Sequence, residues 1–228
     1  MSVKRKPFKL VVSRTERVRD SMNIYFKCPN GFSFKAGDWL DFFMPDESEL
    51  RGGKTYSFAS SPTEDNIMIS FRLGISQFKQ YLQSRQNGDV LNVSQYGNSY
   101  DFYAKDNRTS VFIAGGIGIA PFRSMLKEMN DERSSNEVQL LYFNKDDVFL
   151  FQDEINEWAR ELRLDVHYIQ TDELKRKDRL KVYQETMRKD ADLYYIAGPE
   201  AMVKTTTSLL TDTGIESFRI RTDSFEGY

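Results

Sequence analysis

The stretch Ser110-Val-Phe-Ile-Ala-Gly115-Gly116-Ile-Gly118-Ile-Ala-Pro121-Phe122-Arg123 constrains this chain more than any other. An apolar strand runs into small residues and then into a helix. Glycines at such a turn let a backbone approach a diphosphate closely, and the helix N-terminus favours its negative charge. Pro121 suits the first helical turn, where its missing N–H costs nothing. A glycine turn is also found as a plain tight connection, and both readings stand on these residues alone. The spacing departs from G-x-G-x-x-G, so an ordinary dinucleotide-binding dehydrogenase is not the best match.

Two rhythms surround this turn. The first hundred or so residues read as short strands: Phe8–Ser13, Met22–Lys27, Asp38–Met44, Tyr56–Ala59, Ile67–Leu73 and Val90–Gln95. Pro29-Asn30-Gly31, Pro45-Asp46, Gly52-Gly53 and Asn87-Gly88-Asp89 mark turns between them. One helix is expected from Ser76, as N-cap, to about Ser84. This pattern predicts a small antiparallel barrel. The second half alternates strands with helices. Strands are expected at Val111–Ala114, Val138–Phe143, Val166–Ile169, Leu193–Ile196 and Phe218–Arg221. Helices are expected near Ala120–Asn130, Phe151–Leu162, Leu180–Arg188 and Glu200–Leu210. Alternation of this kind implies a parallel sheet with helices on both faces. The polar run Lys105-Asp106-Asn107-Arg108 sets the expected boundary, giving domains 1–105 and 106–228.

Composition narrows the classes of function. The 228 residues carry 32 basic and 34 acidic side chains, a balance that gives no reason to expect nucleic acid as a partner. No apolar run approaches the ~20 residues needed to span a bilayer, and no signal-peptide stretch follows the basic start. Cys28 is the lone cysteine, so neither an intrachain disulfide nor a four-thiolate iron–sulfur cluster is expected. A cytoplasmic protein is therefore expected, in which redox chemistry would need an organic cofactor or a partner's centre. His167 is the single histidine and reads as structural.

The turn Gly115–Arg123 resembles the nucleotide-binding turn of the ferredoxin–NADP reductase family, and the similarity extends across essentially the whole chain. The resemblance implies an antiparallel Greek-key β-barrel that binds FAD, followed by an α/β parallel-sheet domain that binds a nicotinamide nucleotide. It implies Gly115, Gly116, Gly118 and Pro121 at that nucleotide. Lys54-Thr55-Tyr56-Ser57 resembles the family's R-x-Y-S flavin signature. There the basic residue meets the flavin phosphates, the tyrosine packs by the isoalloxazine and the serine lies near flavin N5. Lys54 replaces arginine, a point charge without the bidentate fork, and Arg51 or Arg72 would assist it. Read without the family, the same tetrapeptide is ordinary strand.

Leu73-Gly74-Ile75-Ser76 resembles the second flavin element, which implies Gly74 and Ser76 at the FAD diphosphate; a simple helix cap is the alternative for Ser76. Gly88 and Gly97 match structural glycines. Tyr195-Ile196-Ala197-Gly198-Pro199 resembles the family's C-G-P motif at the nicotinamide, with Ala197 where the family has cysteine. Loss of that cysteine implies poorer positioning and slower transfer. Gly198 and Pro199 keep the turn. The terminal Asp223-Ser-Phe-Glu-Gly-Tyr228 resembles members whose last aromatic covers the flavin, with Asp223 near the flavin edge; a frayed end is the alternative for Tyr228.

The resemblance implies an FAD-dependent NAD(P)H oxidoreductase passing electrons to a ferredoxin, flavodoxin, quinone or free flavin. A non-catalytic electron-transfer or regulatory subunit of a larger complex is the alternative. Asp172 and Glu173 after the strand Val166–Ile169 favour NADH, while Lys175, Arg176, Lys177 and Arg179 could hold the 2′-phosphate of NADPH or line a solvated loop.

Overall fold

The structure, a computed structural model, describes residues 2–4, 7–44, 54–172, 174 and 176–225. Contacts divide the chain into two compact units, one of Met1–Tyr103 with Arg123–Glu128, the other of Ala104–Phe122 with Met129–Tyr228.

The first unit contains β1 (Ser2–Lys4), β2 (Phe8–Val18), β3 (Ser21–Lys27), β4 (Trp39–Phe43), β5 (Lys54–Ser57), β6 (Asn66–Arg72), α1 (Gln77–Gln83) and β7 (Val90–Asn98). The antiparallel order is β5–β4–β7–β2–β3–β6, with β1 added on β7. Phe58 bridges Ile69, so the two ends of that order meet and the sheet closes as a barrel. Alternation explains the core. Met22, Ile24 and Phe26 of β3 lie in register with Phe71, Ile69 and Ile67 of β6, and all six are buried with Leu40, Phe42, Leu91 and Val93. Each such side chain contributes about 1.5–3 kcal/mol of burial. The expected strand at Tyr56–Ala59 instead occupies Lys54–Ser57, because Ala59 and Ser60 donate to Met68 O as the chain turns away. Ser76 caps α1 as expected, accepting from Lys79 N.

The second unit contains β8 (Ser110–Gly115), a 3-10 turn at Gly116–Gly118, α2 (Ile119–Asp131), β9 (Glu137–Asn144), α3 (Gln152–Trp158), β10 (Arg163–Gln170), α4 (Arg176–Thr186), β11 (Leu193–Pro199), α5 (Glu200–Asp212) and β12 (Ile220–Phe225). Its sheet is parallel throughout, in the order β10–β9–β8–β11–β12. β8 is buried along its whole length and β9 along all but its first residue, as central strands of a sheet covered on both faces are. Three expected elements shift. α3 stops at Trp158, where the backbone tightens into i→i−3 bonds. α4 starts four residues before Leu180. The last strand begins at Ile220, since Phe218 sits exposed in a 3-10 turn and the Arg219 guanidinium ties that turn to the carbonyls of Ala191 and Asp192. Among the described residues no helix is long and apolar enough to cross a membrane.

Candidate functional site

The strand order of the second unit reverses between β8 and β11: the chain goes from β8 outward to β9 and β10, then returns to β11 on the other side. In open α/β sheets the crevice outside the carboxyl ends of two such strands is where ligands bind. β8 ends there in Gly115, and β11 in Gly198-Pro199. A Cβ on Gly118 would lie 2.2 Å from Ala197 O and 2.8 Å from Gly198 Cα, so side-chain-free backbone is required. Gly198 adopts φ +150°, and a Cβ there would lie 3.0 Å from Gly115 O. A Cβ on Gly115 would meet Met202 Sδ at 2.1 Å. Two bare turns thus pack backbone on backbone, with the 13-residue α2 starting from one of them. Pro121 falls in the first turn of α2. The N-terminus of α2 opens from this cradle, and its dipole favours negative charge there.

Asp172, expected at the nucleotide ribose, and Asp223, expected near the flavin edge, both lie towards the carboxyl edge of this sheet. Asp172 follows the end of β10; its N–H donates to Lys145 O, and its Oδ1 accepts from Gln170 Nε2 at 2.8 Å. Asp223 on β12 lies in register with Ala197, which is fully buried on β11. Tyr228, Arg51, Glu173 and Lys175 lie outside the described residues, as do the side chains of Arg176, Lys177 and Arg179.

In the first unit, the Lys54–Ser57 strand pairs with β4, whose other edge pairs with β7. Lys54 is exposed and, among the described residues, makes no ion pair. Tyr56 stacks on Phe78 of α1 at 6.2 Å and meets Phe71 edge-on, and burial pushes its phenol up. Its ring is thus held by the barrel rim rather than left mobile. Ser57 is buried and lies opposite Trp39. Arg72 is paired with Asp20 at 2.5 Å, so its help to Lys54 would require breaking that pair. Beyond β6, Gly74 lies against the Lys79 side chain, and Ile75 is 91% exposed. Burial, and then the charge of Arg72, lowers the Lys79 ammonium. Lys79 is a cation that sequence reading passed over, although its place three residues after the Ser76 cap puts it within reach of Gly74. A free lysine, a second lysine at a bare glycine and a capping serine are a donor set suited to phosphate oxygens.

The loop after Ser57 is held from below. Arg123 is 5% exposed and forms a two-pronged pair with Glu64, Nη1–Oε2 2.6 Å and Nη2–Oε1 3.1 Å. Its Nη1 also donates to Ala59 O, and Ser124 Oγ donates to Ser60 O. Nothing in the sequence marks this pair, whose members stand 59 residues apart. His167, read as structural, pairs with Asp165 at 2.9 Å; Trp158 is buried, and Cys28 is an exposed thiol pushed up by its partial burial.

Residues 112–208 match the family model of the oxidoreductase NAD-binding domain. The chain is 30% identical over 208 residues to oxidoreductase NAD-binding domain-containing protein 1 of Bos taurus, covering 75% of this chain and 64% of that protein. It is 29% identical over 128 residues to sulfhydrogenase 2 subunit gamma of Pyrococcus furiosus, covering 54% and 42%. The fold matches a ferredoxin NADP+ reductase from Neisseria gonorrhoeae, solved with bound FAD and NADP, at TM-score 0.78, 18% identity and coverage of 97% and 99%. The chain spans 42% and 64% of the two sequence relatives. The matched domain places an oxidoreductase NAD-binding domain at residues 112–208, and the chain as a whole, a barrel followed by a parallel nucleotide-binding-type sheet, has the fold of that ferredoxin NADP+ reductase.

Proposed function

We propose that this chain is an FAD-dependent NAD(P)H oxidoreductase that passes electrons to an external acceptor, working in the cytoplasm. The glycine-on-glycine cradle at the β8–β11 switch point carries this reading, since bare backbone at the carboxyl ends of these strands has a clear use in holding a dinucleotide. The first unit would hold FAD, with Lys54, Gly74, Ser76 and Lys79 at its phosphates and Thr55, Tyr56 and Ser57 along the flavin strand. The second would hold the nicotinamide nucleotide, with Gly115, Gly116, Gly118, Pro121, Gly198 and Pro199 at the crevice. Bound FAD supplies the capacity to accept a hydride and release its electrons. The protein's part is to orient and to exclude water. Ser57 would offer its hydroxyl at N5, and Asp223 and Tyr228 would act at the flavin edge and face. Sulfhydrogenase 2 subunit gamma, a relative that is a subunit, supports a second reading as an electron-transfer subunit of a larger complex.

Anaerobic mixing of the purified flavin-loaded chain with NADH tests the proposal: rapid bleaching of the flavin absorbance is expected, and no bleaching with either NADH or NADPH would leave only the subunit reading. In the same stopped-flow measurement Ser57→Ala should bleach roughly tenfold slower, about 1.4 kcal/mol in the barrier, with flavin content retained. An unchanged rate would make Ser57 a plain strand residue.

NADH is the expected substrate. The Asp172 carboxylate can accept from both ribose hydroxyls and repels a 2′-phosphate. Asp172→Ser should shrink the kcat/KM ratio of NADH to NADPH by roughly tenfold, about 1.4 kcal/mol. A wild-type preference for NADPH above roughly tenfold, the same 1.4 kcal/mol in the other direction, would show that the basic loop at 175–179 sets the choice.

A further inference from the structure

Asp41 carries a buried carboxylate in the wall of the barrel. It stands in β4 between Leu40 and Phe42, both fully buried in the core, and is itself only 6% exposed. Alternation turns it to the face opposite those two. Its Oδ1 accepts from Thr55 Oγ1 at 2.5 Å and its Oδ2 from Gln95 Nε2 at 2.6 Å. Both donors are neutral, and among the described residues no cation pairs with it. The arrangement is built by the backbone. The β4–β7 register steps from Asp41↔Gln95 to Phe42↔Val93, skipping Ser94. That bulge turns Gln95 out of the core face shared by Val93 and onto Asp41. A neutral side chain would satisfy the same two donors with less desolvation, so the geometry asks for a role that needs the charge itself.

Thr55 and Ser57 point to one face of β5, opposite Asp41 and Trp39 respectively. Two residues along a strand place them about 7 Å apart. We propose that Asp41 sets the redox poise of the flavin site: a fixed negative charge, held by Thr55 and Gln95, that lowers the reduction potential of FAD bound at Ser57. The inference rests on the reading of Ser57 as the residue at flavin N5. Electrons added to a flavin increase its negative charge. A carboxylate roughly 10 Å away, acting through protein rather than water, opposes that gain. The oxidised form is favoured, and electrons leave for an acceptor more readily. Asp41 is a positioning residue acting through the field, with no contact to the reacting atoms required.

The test is the midpoint potential of the flavin in the purified, FAD-loaded chain. Asp41→Asn keeps the shape and accepts from Thr55, with the Gln95 amide turned to present its oxygen. Its potential should shift upward while FAD content stays at the wild-type level. Gln95→Lys, at a half-buried position, places a cation beside the retained carboxylate and should shift the potential in the same direction. A residue that merely supports the sheet would lower the melting temperature and leave the potential unmoved. Both variants carrying full FAD at the wild-type potential would overturn the inference; should Asp41→Asn lose its flavin, Gln95→Lys decides alone. A wild-type chain that neither retains nor takes up FAD overturns the inference together with the flavin reading, an outcome distinct from full FAD at an unmoved potential.

Discussion

Glu64→Gln is expected to lower the stability of the first unit by about 2–4 kcal/mol, because it leaves the Arg123 guanidinium buried without its counter-charge. The pair is well built. Both terminal guanidinium nitrogens meet the carboxylate, Ser61 N–H also donates to Glu64 Oε2 at 2.6 Å, and the Arg123 side chain is 7% exposed. The Glu64 side chain keeps 24% exposure, which holds the effect to the lower part of the range for buried pairs. For a chain of this length a loss of about 3 kcal/mol corresponds to roughly 6–12 °C in the melting temperature. Adding Arg123→Met to Glu64→Gln should recover much of the loss, since an apolar side chain needs no partner. Thermal unfolding of the two single variants and the double variant gives the coupling directly. A loss below about 1 kcal/mol in Glu64→Gln would show that the pair behaves as a surface ion pair.

Gly118→Ala should damage the nucleotide cradle more than its size implies. The added Cβ would stand 2.2 Å from Ala197 O and 2.5 Å from Ala197 C. Neither partner can rotate away as a side chain can, so the 3-10 turn or the end of β11 must shift. Overpacking of this kind costs about 1–3 kcal/mol. The larger effect falls on binding: displaced amides no longer converge on a diphosphate, and affinity for NADH should drop more than tenfold, over 1.4 kcal/mol. Gly214→Ala in the same unit is the control. Gly214 has φ +91° with nothing near its Cβ position, so it adds backbone strain of about 1–2 kcal/mol without a collision. Equal NADH affinity in the two variants, measured by titration, would show that the turn at Gly118 does not touch the nucleotide.

Much of the architecture is written locally. The alternation of Met22, Ile24 and Phe26 against polar neighbours can be satisfied only with one face inside, and the structure puts that face in the barrel core. The run Val111–Ala114 followed by three glycines and Pro121 can hardly form anything but strand, tight turn and helix. Ser76 names its own helix start. Boundaries were less legible where the competing interaction is distant. Phe218 reads as strand by its side chain, yet it is exposed, because Arg219 is held by carbonyls 27 and 28 residues away.

The site divides in the same way. The candidate strings Lys54–Ser57, Gly74–Ser76, Gly115–Pro121 and Gly198–Pro199 are legible in the chain alone, because turn and cap chemistry depends on residues adjacent in sequence. Packing in three dimensions was needed to see that Gly118 needs its hydrogen because of Ala197, that Arg123 is neutralised by Glu64, and that Asp41 meets Gln95 across a bulge. These are contacts between residues 54 to 79 positions apart, set by strand order and register, and a register is settled by the packing of the whole sheet rather than by any segment of it.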